Sequence, residues 1–158
     1  MTAADKIAPI KRLQSKLAAR RSSGATVALA NGLFDILHVG HLHYLEAARA
    51  EADLLVVAVN SDRSARELKG PPRPIIPELE RAELLAGFSC VDFVTIFDGP
   101  TVEGLLRAVR PDVHCKGTDY TQDSVPEAPV ARELGIRIAI VGDSKAHSTR
   151  DIIRKLRD

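Results

Sequence analysis

The sequence predicts an α/β protein built on an open parallel sheet of about five strands, with helices on both faces. Short apolar runs rich in Val, Ile and Leu recur without strict alternation, which is typical of strands buried on both faces. Segments with helical spacing separate these runs, and such alternation produces right-handed crossovers. Hydrophobic residues make up 45% of the 158 residues and charged residues 27%, so the chain can form a globular core.

The first predicted element is an amphipathic helix. Its apolar positions recur at helical spacing among basic residues: Ile7, Ile10, Leu13 and Leu17. The loop 22–24 follows, and we expect the helix to pack against its own domain or against a partner subunit. We therefore predict one domain over 1–158, in which residues 1–24 precede a core at 25–158.

Five strands and five helices follow in alternation. The predicted strands are 26–30, 53–59, 92–97, 112–117 and 137–142. The predicted helices are 40–51, 77–88 (with Pro77 in its first turn), 101–110, 126–134 and 148–157. The segment 67–77 is too rich in Pro and Gly for a helix and is predicted to be a flap or an ordered connection. The resulting Rossmann-like fold binds ligands at the carboxyl ends of its strands.

Composition excludes several classes of function. The 22 basic and 21 acidic residues give a net charge of +1, which argues against a nucleic-acid-binding surface. Cys90 and Cys115 share no CxxC spacing, so we expect neither a disulfide framework nor a cysteine zinc site. No apolar run approaches the ~20 residues that span a bilayer, and the first residues lack the apolar h-region of a signal peptide. We expect a cytoplasmic protein that does not bind membranes.

Three histidines lie where the first strand gives way to a helix, in "ANGLFDILHVGHLHYL" (30–45). His38 and His41 are three apart, so they share one face of the first helical turn. Backbone N–H groups and the positive helix end attract an anion there, and Gly40 lets it approach the backbone. A zinc site is an alternative, but HxxH lacks the usual further ligands. Ordinary packing is the other alternative, and the one we expect for His43.

The same stretch resembles the signature of the HxGH nucleotidyltransferases, in their cytidylyltransferase-like branch. The agreement covers its Gly, Phe, Asp and two His at fixed spacing. The segments 56–97, 111–120 ("PDVHCKGTDY") and 147–156 ("HSTRDIIRKL") extend it to the adenylyltransferase domain of ADP-heptose synthases, over about 24–158. Some of those enzymes also carry a sugar kinase, which is missing here, so we expect the free-standing form.

The resemblance implies transfer of AMP from ATP to D-glycero-D-manno-heptose 1-phosphate, with release of pyrophosphate and Mg²⁺ carried by ATP. A phosphate monoester is largely ionised at neutral pH (second pKa about 6), so the site needs cations more than a strong base. Two alternatives remain: a cytidylyltransferase acting on glycerol 3-phosphate or another small alcohol phosphate, and a non-catalytic nucleotide-binding module. Because relatives assemble as dimers or larger oligomers, we also expect a homo-oligomer.

The resemblance also implies the site residues. It assigns catalytic roles to His38, His41 and Lys69. It implies nucleotide or phosphate binding by Asn31, Gly32, Leu33, Phe34, Gly40, Arg73, Lys116, Gly117, Asp119, Ser148 and Thr149. Lys69 and Arg73 could instead be solvated surface cations, and Asp119 could cap a turn. Sugar-phosphate binding is predicted for Asn60, Asp62 and Arg81, although Asp62 could instead cap a short helix and Arg81 could form a structural ion pair. No protein metal ligand is predicted.

Two positions depart from the family pattern, and one motif residue is expected to be structural. Leu33 and Arg150 stand where relatives usually carry small or polar residues. Asp35 is expected to hold the turn through backbone hydrogen bonds.

Overall fold

A computed structural model describes residues 1–144 and 148–158 and contains a five-stranded, fully parallel sheet. The strands are β1 (Val27–Gly32), β2 (Leu54–Asn60), β3 (Phe93–Phe97), β4 (Val113–Lys116) and β5 (Arg137–Ile140). Their order in the sheet is β3-β2-β1-β4-β5, so the chain moves outwards from β1 first in one direction and then in the other. The predicted fold class is confirmed.

Helices cover both faces of the sheet. They are α1 (Ala3–Lys6), α2 (Ile10–Arg21), α3 (Val39–Arg49), α4 (Asp62–Lys69), α5 (Glu78–Ala86), α6 (Glu103–Val109), α7 (Ala128–Leu134) and α8 (Thr149–Arg157). Helices α2, α6 and α7 share one apolar cluster with the sheet, and α3 and α5 share the cluster on the other face. Alternate strand residues such as Leu29 and Ala30 enter opposite clusters, which explains why the strands show no polar alternation.

The prediction of a single first helix is wrong, because this segment forms two helices, α1 and α2. Pro9 is the N-cap of α2, and a residue that precedes proline disfavours the helical conformation. Ile7 instead forms an isolated parallel bridge with Val94, beside the edge strand β3. Leu13 and Leu17 of α2 are fully buried within the chain. The apolar face of this helix therefore packs against its own domain.

The predicted flap is shorter than expected, because residues 67–69 continue α4. The side chain of Ser61 caps that helix by accepting a hydrogen bond from the N–H of Ser64 at 3.1 Å. The helix ends at Gly70, whose φ of 75° is in the left-handed region. Pro77 lies at the N-cap of α5 and not in its first turn.

Candidate active site

A cavity of about 940 Å³ opens at the carboxyl edge of the sheet. Residues at the strand ends line it: Asn31 and Gly32 of β1, Asn60 of β2, Phe97 of β3 and Lys116 of β4. Strand order reverses between β1 and β4, which is where open α/β sheets bind their ligands. The volume lies within the range of pockets that hold small ligands.

The histidine turn forms one wall of this cavity, and its two motif histidines cap the helix that they begin. His38 is the N-cap of α3, and its Nδ1 accepts from the N–H of Gly40 at 3.1 Å. The Nδ1 of His41 accepts from the N–H of His38 at 3.2 Å, and the two ring centroids lie 4.0 Å apart. Because both Nδ1 atoms accept, the proton of each neutral imidazole is on Nε2. Each ring therefore has an Nε2–H donor.

Phe34 supports this turn from behind. Its φ of 51° is unusual for a residue other than glycine, and its buried ring lies 5.5 Å from the ring of His41. A Cβ on Gly32 would lie 3.2 Å from the Phe34 ring, so a side chain at position 32 would press on it. Gly32 and Phe34 thus act together to place His41.

A second helix start faces the cavity at the beginning of α8. The side chain of Ser148 caps α8 by accepting from the N–H of Asp151 at 3.1 Å. The hydroxyl of Thr149 donates to the carbonyl of Ile36 at 3.0 Å, which ties this turn to the loop that carries His38. Both residues line the cavity, whereas His147 of the same motif lies outside the described residues. Arg150 also lines the cavity.

The segment after α4 is anchored by a buried carboxylate. Asp35, whose side chain is 0% exposed, accepts from the N–H groups of Ile75 and Ile76 at 2.9 Å and from Arg73 Nε at 2.6 Å. Burial alone would raise the pKa of Asp35, but these backbone donors and the guanidinium hold it below its usual range. Asp35 therefore has the structural role predicted for it, and Arg73 is held in place rather than solvated.

Helix α3 is fastened to the β5–α8 loop. Gly142 has a φ of 94°, and a Cβ there would lie 3.3 Å from the Cα of Tyr44, so helix and loop approach closely. Next to this contact, Nδ1 of His43 pairs with the carboxylate of Asp143. The backbone carbonyl of Asp143 accepts from the Thr118 hydroxyl at 2.8 Å. His43, expected to be a packing residue, thus lines the cavity and joins two of its walls.

Strand β4 brings buried polar groups to the cavity. Burial lowers the pKa of Lys116, and its Nζ lies 4.6 Å from the centroid of the Tyr120 ring. Burial, together with Lys116, lowers the pKa of His114 to about 3, so this ring is neutral. Its Nε2 lies 3.0 Å from Oδ1 of Asn31 and orients that amide. Burial raises the pKa of Cys115 to about 12, which makes it an unreactive thiol.

Two predicted sugar-phosphate residues are not brought into the cavity. Arg81 is 0% exposed and donates to the carbonyls of Ile76, Leu33 and Asn60 as well as to Oδ1 of Asp62. The structural ion pair is therefore the arrangement that forms, because backbone carbonyls from three segments surround the guanidinium. Asp62 is the first residue of α4 rather than its cap.

The other predicted site residues do converge on the cavity. They are His38, His41, Lys69, Asn31, Gly32, Leu33, Phe34, Gly40, Arg73, Lys116, Gly117, Asp119, Ser148, Thr149 and Asn60. The amide of Asn60 donates to Ser64 at 3.1 Å. Sequence reasoning missed Glu127 and Asp143, which line the cavity but lie outside the motif segments of the sequence. Tyr120 also lines the cavity, and its position in the "KGTDY" segment could have predicted this.

Within residues 1–144 and 148–158, no helix is long and apolar enough to cross a membrane. The same residues contain no cluster of three or more His, Cys, Asp or Glu side chains that could hold a metal ion.

Comparison with known proteins gives a family match. The cytidylyltransferase-like family model matches residues 29–155. This range begins within β1 and ends within α8, so it includes both helix starts that face the cavity.

Curated relatives match almost the whole chain. The bifunctional protein HldE of Methylobacillus flagellatus is 44% identical over 153 residues, which are 97% of this chain and 31% of that protein. HldE of Geotalea uraniireducens is 46% identical over 156 residues, which are 97% of this chain and 32% of that protein. The chain thus spans about a third of the length of these relatives.

A solved structure shares the fold. A lipopolysaccharide core biosynthesis protein from Thermoplasma volcanium superposes with a TM-score of 0.66 at 28% identity. The alignment covers 77% of this chain and 100% of that one.

Proposed function

This chain belongs to the cytidylyltransferase-like family, and we propose that it transfers AMP from ATP to a heptose 1-phosphate. The products are ADP-heptose and pyrophosphate. The heptose is proposed to be the D-glycero-D-manno form, and the role to be in lipopolysaccharide precursor synthesis. The similarity to HldE proteins and the lipopolysaccharide biosynthesis neighbour support this choice of substrate.

The observation that carries the proposal is the presence of two joined helix starts in the lining of one cavity. His38 and His41 begin α3, Ser148 and Thr149 begin α8, and all four line the cavity. The Thr149 hydroxyl bridges them through the Ile36 carbonyl at 3.0 Å. Two positive helix ends that face one space suit an extended polyphosphate better than a single phosphate.

In the proposed reaction, a phosphate oxygen of the sugar 1-phosphate attacks the α-phosphorus of ATP. A new P–O bond forms, the bond from the α-phosphorus to the bridging oxygen breaks, and that oxygen leaves with the pyrophosphate. The attacking group is already ionised, so the residues are needed mainly for alignment and charge stabilisation. The Nε2–H donors of His38 and His41 are assigned to the phosphate oxygens on which charge develops.

The segment after α4 is proposed to supply cations to the same phosphates. Lys69 ends α4, and Arg73 follows on the segment that Asp35 anchors. The Arg73 side chain is 15% exposed and lines the cavity, so its charge is poorly screened by solvent. Asp35 fixes the guanidinium through Nε, which orients the rest of the group before ATP binds.

Four further features of the function are proposals of the same kind. Mg²⁺ enters as part of the ATP substrate, and phosphate oxygens and water supply most of its ligands. The protein acts in the cytoplasm, where ATP is available, and it forms a homo-oligomer as expected for its family. Residues 25–158 form its catalytic core.

Pyrophosphate release tests the reaction directly. The protein is incubated with Mg²⁺, each of the four nucleoside triphosphates in turn, and either heptose 1-phosphate or glycerol 3-phosphate. We expect turnover with ATP and heptose 1-phosphate. Turnover with CTP and glycerol 3-phosphate alone would identify a cytidylyltransferase instead, and no turnover with any pair would favour a nucleotide-binding module.

A further inference from the structure

Glu127 is a buried carboxyl group in the wall of the cavity, and neither the sequence motifs nor the proposed chemistry uses it. The residue is 2% exposed, precedes α7 and lines the cavity beside Pro126. Its Oε1 accepts from the N–H of Val102 at 3.5 Å, which is the limit of a hydrogen bond. Its Oε2 is buried without a hydrogen-bond partner in the described part of the chain.

A buried carboxyl oxygen requires a donor, because no water solvates it. Lys116 supplies an opposite charge nearby, and Glu127 partly offsets the effect of burial on the pKa of that lysine. The ammonium nevertheless lies over the Tyr120 ring, 4.6 Å from its centroid, and among the described residues it donates no hydrogen bond to Oε2 of Glu127. The missing donor is thus expected from a molecule that occupies the cavity.

The surroundings of Glu127 differ from those of the phosphate-binding turns. Helices α6 and α7 share one face of the sheet, whereas α3, which carries the motif histidines, packs on the other face. Thr101, which precedes Val102, and Pro126, which precedes Glu127, also line the cavity, as do Pro100 and Tyr120. A carboxylate accepts hydrogen bonds and repels phosphate, so this wall suits a neutral group with several hydroxyls.

We propose that Glu127 accepts hydrogen bonds from the hydroxyl groups of a sugar bound in the cavity. The inference rests on the proposed function, whose two substrates both contain a polyhydroxylated sugar. The ribose of ATP and the sugar of the acceptor share this chemistry, and the experiment distinguishes them. Glu127 thereby makes the site selective for hydroxylated over deoxygenated ligands.

The test is the substitution Glu127→Gln, which separates a structural role from a ligand role. The glutamine carbonyl can still accept from Val102, so the contact to α6 survives. The second oxygen becomes an N–H₂ group, which cannot accept from a sugar hydroxyl. Glu133→Gln is the matched control, since Glu133 lies on α7, the helix that follows Glu127, and forms an exposed ion pair with Arg107. Thermal unfolding is measured for all three proteins.

Binding is then measured by calorimetry with Mg²⁺-ATP, 2′-deoxy-ATP, 3′-deoxy-ATP, heptose 1-phosphate and inorganic phosphate. We expect Glu127→Gln to weaken one sugar ligand by about 10- to 100-fold, while inorganic phosphate binding and the melting temperature stay unchanged. Weaker ATP binding, with a smaller loss for a deoxy analogue, identifies the ribose. Weaker heptose 1-phosphate binding with normal ATP binding identifies the acceptor.

Equal affinities of Glu127→Gln and wild type for both sugar ligands would overturn the proposal, whether or not stability changes. Wild-type protein that binds neither ligand would overturn it as well. Failure of the proposed function has a different signature, because a wild type that binds ATP yet releases no pyrophosphate contradicts the reaction only. In that case the comparison of ATP with its deoxy analogues still decides the role of Glu127.

Discussion

The buried carboxylate of Asp35 provides the sharpest test of how the site is held together. In Asp35→Asn the side chain keeps its size and one acceptor oxygen but loses its charge and gains an N–H₂ group. That group must face Arg73 Nε or the N–H groups of Ile75 and Ile76, all of which are donors. The substitution therefore replaces attraction by repulsion at one of three buried contacts.

The expected loss of stability follows from these contacts. Hydrogen bonds to charged groups contribute about 1.5–3 kcal/mol each, and breaking a buried ion pair on one side costs about 3–5 kcal/mol. Because asparagine retains one acceptor, we expect the lower end, a loss of about 3 kcal/mol. For a domain of this size that corresponds to a fall in melting temperature of roughly 6–12 °C.

Urea unfolding and limited proteolysis check this prediction together. Beyond lower stability, we expect faster cleavage within residues 70–76, because Asp35 is the buried group that anchors this segment. We also expect a higher KM for ATP, because Arg73 is no longer oriented. Asp123→Asn is the control, since that side chain is exposed and lies outside the cavity lining. Unchanged unfolding and cleavage in Asp35→Asn would refute the structural role of this carboxylate.

Three further predictions follow. His41→Ala is expected to lower kcat by about 10²–10³ through loss of one Nε2–H donor, and to lower stability by only about 1 kcal/mol through loss of a cap; near-normal kcat would contradict the role assigned to this ring. Thr149→Val removes the hydroxyl bridge to Ile36 and should raise the KM for ATP, while Thr149→Ser should restore it; equal KM values in both variants would exclude the bridge. The pKa of His114 is about 3 in the folded chain. Below about pH 6.5 its imidazole therefore takes up a proton only when the chain unfolds. The free energy of unfolding should therefore be unaffected by His114 above pH 6.5 and about 2 kcal/mol lower at pH 5. Urea unfolding at both pH values measures this difference, and His114→Gln should lack the part of the pH dependence that His114 causes.

The sheet and the histidine turn could be predicted from the sequence because both depend on local patterns. Buried runs mark parallel strands, and the spacing of His38 and His41 places them on one helical turn. The break at Pro9 also had a local signal, which the helical periodicity of Ile7 and Ile10 concealed. In each of these cases the information lies within about ten residues.

The remaining site features depend on contacts between distant segments. Arg81 is held by backbone carbonyls of β2, the β1–α3 loop and the segment before α5. Every residue has such a carbonyl, so the residue types do not indicate which ones will surround Arg81. His43 and Asp143 are 100 residues apart. Glu127 has no motif, and only its burial on a cavity wall singles it out.

The histidine turn links fold and chemistry more tightly than a pair of phosphate donors requires. In each motif ring one nitrogen caps α3 and thereby leaves the proton on the other, so helix formation itself sets the tautomer that the proposed reaction requires. An asparagine at either position could supply a capping oxygen, but its amide N–H₂ would lie on a shorter side chain. His41→Asn should therefore unfold like the wild type while losing turnover to the extent that His41→Ala does. If His41→Asn instead retained turnover, the cap would be the only essential role of this residue.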